Sequence, residues 1–197
     1  MSPSPEPEVL MPDRPKILSS RMVAHSRLFE VESLDLRFSN GAERTYERLV
    51  NHGHGAVMVV AVDLDCRVLM IQEYAGGLHE YCLTLPKGLV EPGEDALAAA
   101  NRELMEETGF GAHHLEPLVD LSLAPGYMDH RMQVVLARGL YPAKLEGDEP
   151  EPLIVSWHRL DDILSLLNRD DFHEARAVAA LFIARERLIQ VGDRGAT

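Results

Sequence analysis

Residues 88–110 read GLVEPGEDALAAANRELMEETGF, and the rest of the chain is best understood outward from this segment. From Asp95 to Thr108 it holds neither Pro nor Gly, with Ala and Leu early and charge late. That composition predicts a helix over 95–108, stopped by Gly109 as a left-handed C′ residue. Glu103, Glu106 and Glu107 are three and four positions apart, so a helix projects all three to one side. Like charges at this spacing cost roughly a few tenths of a kcal/mol, which a bound cation would offset. A bare run of Glu is commonly no more than a solvated helix face. The setting argues for more: Lys87-Gly88 precede the helix and Pro92-Gly93-Glu94 lead into it. Arg102 stands beside Glu103, placed to orient a carboxylate or to pair with Glu94. Hard cations such as Mg²⁺ take oxygen ligands, polarise phosphoryl oxygens and activate water. Three Glu and one backbone carbonyl from a Gly-containing loop could hold two or more of them.

Upstream, residues 56–62 and 67–74 are apolar runs joined by a turn at Asp63–Cys66, the pattern of central strands covered on both faces. Residues 16–50 alternate polar and apolar around Ser39-Asn40-Gly41, which predicts a β-hairpin or short meander. Downstream, strands are expected over 115–123, 131–138 and 153–158, the last carrying the sole Trp, Trp157. A helix is expected to start at Asp161, and an amphipathic one to span 173–190. Residues 143–152 form an acidic, Pro-broken loop. Strands and helices do not alternate regularly, so the expected class is α/β, a mixed sheet with helices on both faces. The expected division is a disordered leader over 1–15, a β-hairpin over 16–50 and the main domain over 51–197.

The 197 residues suffice for a sizeable core without staples. Thirty-two acidic and 19 basic residues give a net charge of −13, which counts against a nucleic-acid binder relying on a basic face. No apolar run reaches the ~18 residues of a membrane span and no signal peptide is evident, so no membrane partner and a cytoplasmic location are expected. Cys66 and Cys82 read as reduced, packed thiols. His52, His54, His113 and His114 lack zinc-site spacing and read as surface or packing residues.

The segment resembles the Nudix box at every fixed position: Gly88, Glu94, Arg102, Glu103, Leu104, Glu106, Glu107, Gly109 and Phe110. The resemblance implies the Nudix α/β/α sandwich and hydrolysis of a nucleoside diphosphate linked to another moiety. It implies Mg²⁺ (or Mn²⁺ in its place) on Glu103, Glu106 and Glu107, with the Lys87 carbonyl as a further ligand. Glu106 and Arg102 enter the catalytic set, Gly88 shapes the loop, and Glu94 with Arg102 braces it. Ser26–Ser33, Phe38–Gly41, Tyr46–Arg48, Ala99–Leu104, Leu140–Pro142 and Leu145–Pro152 extend the resemblance to the NudE type of ADP compounds hydrolases, similar to ADP-ribose pyrophosphatases.

That likeness implies a homodimer with exchanged N-terminal strands and a small nucleotide as substrate. Tyr46, before Glu47, would stack on adenine, with Phe29 a looser candidate for its other face. Arg48 and Arg131 would contact phosphate or ribose. Pro125 matches a mark of ADP-ribose pyrophosphatases and Tyr127 one of diadenosine polyphosphate hydrolases. Glu151 or Glu149, on the acidic loop, would be the general base. Two other readings stay open: a pyrophosphohydrolase of RNA 5′ ends, and a domain that senses ADP-ribose without cutting it.

Overall fold

The structure, a computed structural model, describes residues 12–50 and 55–194. The chain divides into two compact units. One comprises the chain up to residue 52 together with Ala124–Asp129; the other comprises 53–123 and 130–197.

In the first unit, β1 (Lys16–His25), β2 (Glu30–Arg37) and β3 (Glu43–Leu49) form an antiparallel sheet in the order β1-β2-β3. A meander of three strands thus stands where the sequence left hairpin and meander open. The β2–β3 turn falls at the Asn-Gly signal: Gly41 has φ 84°, and Asn40 Oδ1 accepts from the Ala42 N–H at 3.0 Å. Every residue of β1 is exposed, among them Ile17, Leu18, Met22 and Val23. The 124–129 turn belongs to this unit because the Leu49 N–H donates to Tyr127 O at 2.8 Å. Of the expected leader, residues 1–11 lie outside the described residues, and 12–15 carry no regular structure.

The second unit is built on β4 (Ala56–Val62), all seven of whose residues are buried. Its alternate positions feed two cores. Met58, Val60 and Val62 face one cluster, with Leu181, Ala184 and Phe172, while Val57, Val59 and Ala61 face the other, with Ala99, Ala100 and Leu104. A continuous apolar run is what a strand covered on both sides requires. The sheet order is β10-β5-β4-β9-β8, where β5 is Arg67–Ala75, β8 Phe110–Ser122, β9 Arg131–Pro142 and β10 Ile154–Arg159. Only β4–β9 is parallel among these pairings, so the sheet is mixed. Helix α1 (Ala96–Thr108) covers one face. Helices α2 (Ile163–Leu166) and α3 (Ala175–Arg194) contribute to the core on the other. This is the α/β/α sandwich that the sequence led us to expect.

Two short strands had no sequence signal. β6 (Glu80–Thr84) pairs with β5, and β7 (Lys87–Leu89) pairs with β4. β8 begins directly after Gly109, not at 115, and its register slips between Pro117 and Val119. A proline cannot donate to the ladder, so it sits at this bulge. Cys82 is buried, but Cys66 is exposed, contrary to a packed thiol. It occupies the β4–β5 turn with φ 56°, where tight reversal leaves the side chain outside the core. His113 stacks on Tyr141 with centroids 4.4 Å apart, whereas His52 and His54 lie outside the described residues.

Candidate active site

Helix α1 delivers the carboxylates. Asp95 caps its start, accepting from Leu97 and Ala98 N–H at 3.0 and 3.3 Å, and Gly109 ends it at φ 79°. Arg102 then ties the helix to the preceding loop. Its Nε and Nη2 grip both Glu94 oxygens at 3.0 and 2.9 Å. Nη1 donates to Glu103 and Glu106 at 2.8 and 2.9 Å, and Nη2 also to the Leu89 carbonyl at 2.9 Å. A planar fork of fixed donors suits this task as a lysine would not. The Glu94 hydrogen bond is the largest cause holding the guanidinium charged, and Arg102 in turn holds the Glu94 carboxyl below its usual range.

Gly88 has a role that spacing alone did not reveal. Its φ is not in the left-handed region, yet a β-carbon here would overlap the Glu103 carboxyl group. Glycine lets that carboxylate lie flat on the β7 backbone. Glu107 is 6% exposed, and the Lys87 N–H donates to its Oε2 at 2.9 Å. Burial is the main cause that pushes its pKa up to about 8, opposed by Lys87 and reinforced by Glu73 and Glu103. Burial also raises Glu103, against Arg102.

These groups border a cleft of about 810 Å³ lined by Lys87, Gly88, Arg102, Glu103 and Glu106 among others. Seven acidic residues line it against Lys87, Arg102 and Arg176. The donors are carboxylate oxygens, the set that Mg²⁺ or Mn²⁺ takes, and the excess negative charge would repel a diphosphate unless cations intervened. The residues therefore fit a hard divalent metal.

The acidic loop divides at this point. Glu149 lines the cleft, and burial, then Glu73 and Asp148, raise its pKa. Glu151 instead accepts from the Tyr81 hydroxyl and borders a neighbouring hollow with Tyr74 and Pro152. Sequence reasoning missed Glu73, which pairs with Lys87, and also Asp148, His130 and Arg176, all on the cleft. Arg176 was hidden inside an amphipathic helix pattern. Arg131, the expected contact, is exposed beside His130 and absent from the cleft lining.

The expected adenine residues are in the first unit. Tyr46 is exposed and tilted against Phe38, centroids 6.2 Å apart. Glu47 is exposed next to it, and Arg48 pairs with Glu32 at 2.8 Å. Tyr127 is exposed in the turn after Pro125 that hydrogen-bonds to Leu49. Phe29 is not brought to Tyr46 within one chain. Tyr46 pairs with Leu34, five residues beyond Phe29, roughly 17 Å along the strand.

The three-layer fold and the carboxylate helix define a class, and family comparison agrees: residues 52–181 match the NUDIX domain. The chain belongs to the Nudix hydrolases and is a pyrophosphohydrolase. Residues 15–48 match the NudE-type Nudix hydrolase N-terminal domain. The chain is 51% identical to the ADP compounds hydrolase NudE of Escherichia coli, over 89% of this chain and 94% of that one. It is 31% identical to an ADP-ribose pyrophosphatase of Bacillus subtilis, over 84% and 92%. A crystal structure of an ADP compounds hydrolase superposes with a TM-score of 0.87 at 49% identity, covering 93% of this chain and 98% of that one.

Proposed function

We propose that this chain hydrolyses the pyrophosphate bond of ADP-containing compounds (ADP-ribose, NADH and diadenosine polyphosphates among them) and releases AMP. The observation that carries the reading is the convergence of Glu103 and Glu106 on Arg102, beside buried Glu107, at a cleft rich in further carboxylates. The substrate class is supported by the ADP compounds hydrolase relative, which is matched over nearly its whole length.

Glu103, Glu106 and Glu107, with the Lys87 carbonyl, would hold Mg²⁺ or Mn²⁺. The cations supply charge neutralisation of the diphosphate and activation of water. Arg102 and Gly88 fix the carboxylates in place. Glu149, on the cleft wall, accepts the proton of a water that attacks one phosphorus; its pKa is raised, which makes it a stronger base than an ordinary carboxylate. The anhydride P–O bond breaks, giving AMP and a phosphorylated remainder. Arg176 and Lys87 are the cleft cations nearest in kind to phosphate ligands. Glu151 becomes the base only if Tyr81 releases it.

The enzyme acts as a cytoplasmic homodimer with no nucleic-acid or membrane partner. Support for the dimer is the fully exposed β1 with its four large apolar side chains, which a partner's strands would cover. Among the described residues no helix is long and apolar enough to cross a membrane. Tyr46, before Glu47, would stack on adenine, with Phe29 a candidate for its other face; Arg48 and Arg131 would contact phosphate or ribose, and Pro125 and Tyr127 mark a substrate range that takes in ADP-ribose and diadenosine compounds.

The test compares kcat/KM with Mg²⁺ for ADP-ribose, NADH, diadenosine triphosphate and a 5′-triphosphate RNA. AMP from the first three and untouched RNA are expected. Turnover of the RNA alone would overturn the substrate class. Glu107→Gln should lower kcat by about 10²-fold or more in a folded protein; normal turnover would remove Glu107 from the metal set.

A further inference from the structure

Outside the cleft lining, the second unit places a cysteine, a histidine and a carboxylate together. Glu80 and Cys82 are two residues apart on β6 and so project from the same face. His173 comes from the segment before α3. Its Nε2 lies 2.9 Å from Glu80 Oε1, and Cys82 Sγ lies 3.9 Å from the same oxygen. One ligand atom from each of the three residues falls within 4.8 Å of the other two. A tetrahedral Zn²⁺ with bonds of about 2.0–2.3 Å sets its ligand atoms roughly 3.3–3.6 Å apart, between the two observed separations.

A backbone contact holds the two segments in this register, the Leu83 N–H donating to Asp171 O at 2.7 Å, and a side-chain contact from the adjoining β5 supports it, Gln72 Nε2 donating to Asp171 Oδ2 at 2.9 Å. The surroundings are negatively charged. Burial pushes the Cys82 thiol pKa up, and Glu80, Asp171, Glu73 and Glu174 raise it further by their charge. No cation other than His173, if protonated, pairs with Glu80 among the described contacts.

We propose that Glu80, Cys82 and His173 form a binding site for a borderline-soft divalent cation, Zn²⁺ or its analogue Co²⁺, distinct from the oxygen-ligand site on α1. A sulfur and an imidazole ligand select such an ion over Mg²⁺. Binding displaces the Cys82 thiol proton to solvent, forms the metal–sulfur bond, and leaves a fourth position for water. The ion ties the β6 edge to the start of α3. Tyr81, between the two strand ligands, holds Glu151 of the acidic loop, so occupancy stiffens the anchor of that loop.

The test titrates the full-length chain with Co²⁺ in a large excess of Mg²⁺ and follows the near-ultraviolet thiolate-to-cobalt band that only a sulfur ligand produces. One equivalent should generate the band. Cys82→Ser should abolish it, His173→Gln should weaken Co²⁺ affinity at least about tenfold, and Cys66→Ser and Glu107→Gln should retain it. His173 is exposed, so its replacement keeps the test valid if the Cys82 variant misfolds. Failure of the band to form, its survival in Cys82→Ser, or its loss only in Glu107→Gln or Cys66→Ser would each overturn the site.

Discussion

Gly88→Ala is the most searching test of how the carboxylate helix is seated. The added β-carbon overlaps the Glu103 carboxyl carbon and both its oxygens, so the side chain must leave the β7 backbone. Glu103 is 12% exposed and bonded to Arg102 at 2.8 Å, so it has little room to move without breaking that contact. Overpacking of this kind costs about 1–3 kcal/mol. For a chain of this size that lowers Tm by roughly 2–12 °C, leaving the protein folded at room temperature. The effect on turnover should be larger, because a ligand displaced by about 1 Å can cost about 10²-fold in rate. The assay pairs thermal unfolding with steady-state kinetics over a Mg²⁺ titration. A folded variant should show kcat down about a hundredfold and a shifted metal requirement. Wild-type kcat and metal dependence in Gly88→Ala would refute the close seating of Glu103 and, with it, the reason given for glycine there.

Three other outcomes are expected. Arg102→Lys keeps the charge but not the fork, leaving part of the Glu94, Glu103, Glu106 and Leu89 contacts unmade; stability should fall by about 2 kcal/mol in urea unfolding and kcat with it. Glu149→Gln should reduce kcat by about 10²-fold or more and flatten the acid limb of the pH profile, while Glu151→Gln should cost much less; the reverse ranking would return the base role to Glu151. Arg169, first, and Gln72 hold the Asp171 carboxyl below its usual range. A depressed folded pKa stabilises above the unfolded value and is lost as pH falls through the folded one. Asp171→Asn should therefore destabilise the protein at pH 7 in denaturant melts, with the gap narrowing as pH falls below the ordinary Asp value of about 3.9.

The sequence by itself determined the helix, its stop at Gly109 and the three carboxylates, because spacing of three and four on a helix is local geometry; that Asp95 is its N-cap came from the structure. It also determined β4: seven apolar residues in succession have no stable place except between two layers. The Asn-Gly turn was legible for the same reason, since few residues adopt its backbone.

What the sequence could not supply were features that depend on a neighbour distant along the chain. β6 and β7 are too short to carry a period and exist because β5 and β4 offer them edges. That Gly88 serves close approach, where the sequence suggested loop shape, follows only from Glu103 being folded onto it. The choice between Glu149 and Glu151 was undecidable from two acidic residues in one loop. Our proposal of Glu149 rests on Tyr81, seventy positions away, whose hydroxyl holds Glu151 outside the cleft lining. Arg176 reached the cleft, and His173 reached Glu80 and Cys82, because the chain returns there at the start of α3. Local propensity fixes which groups a segment displays; only the packing of layers decides which displayed groups meet.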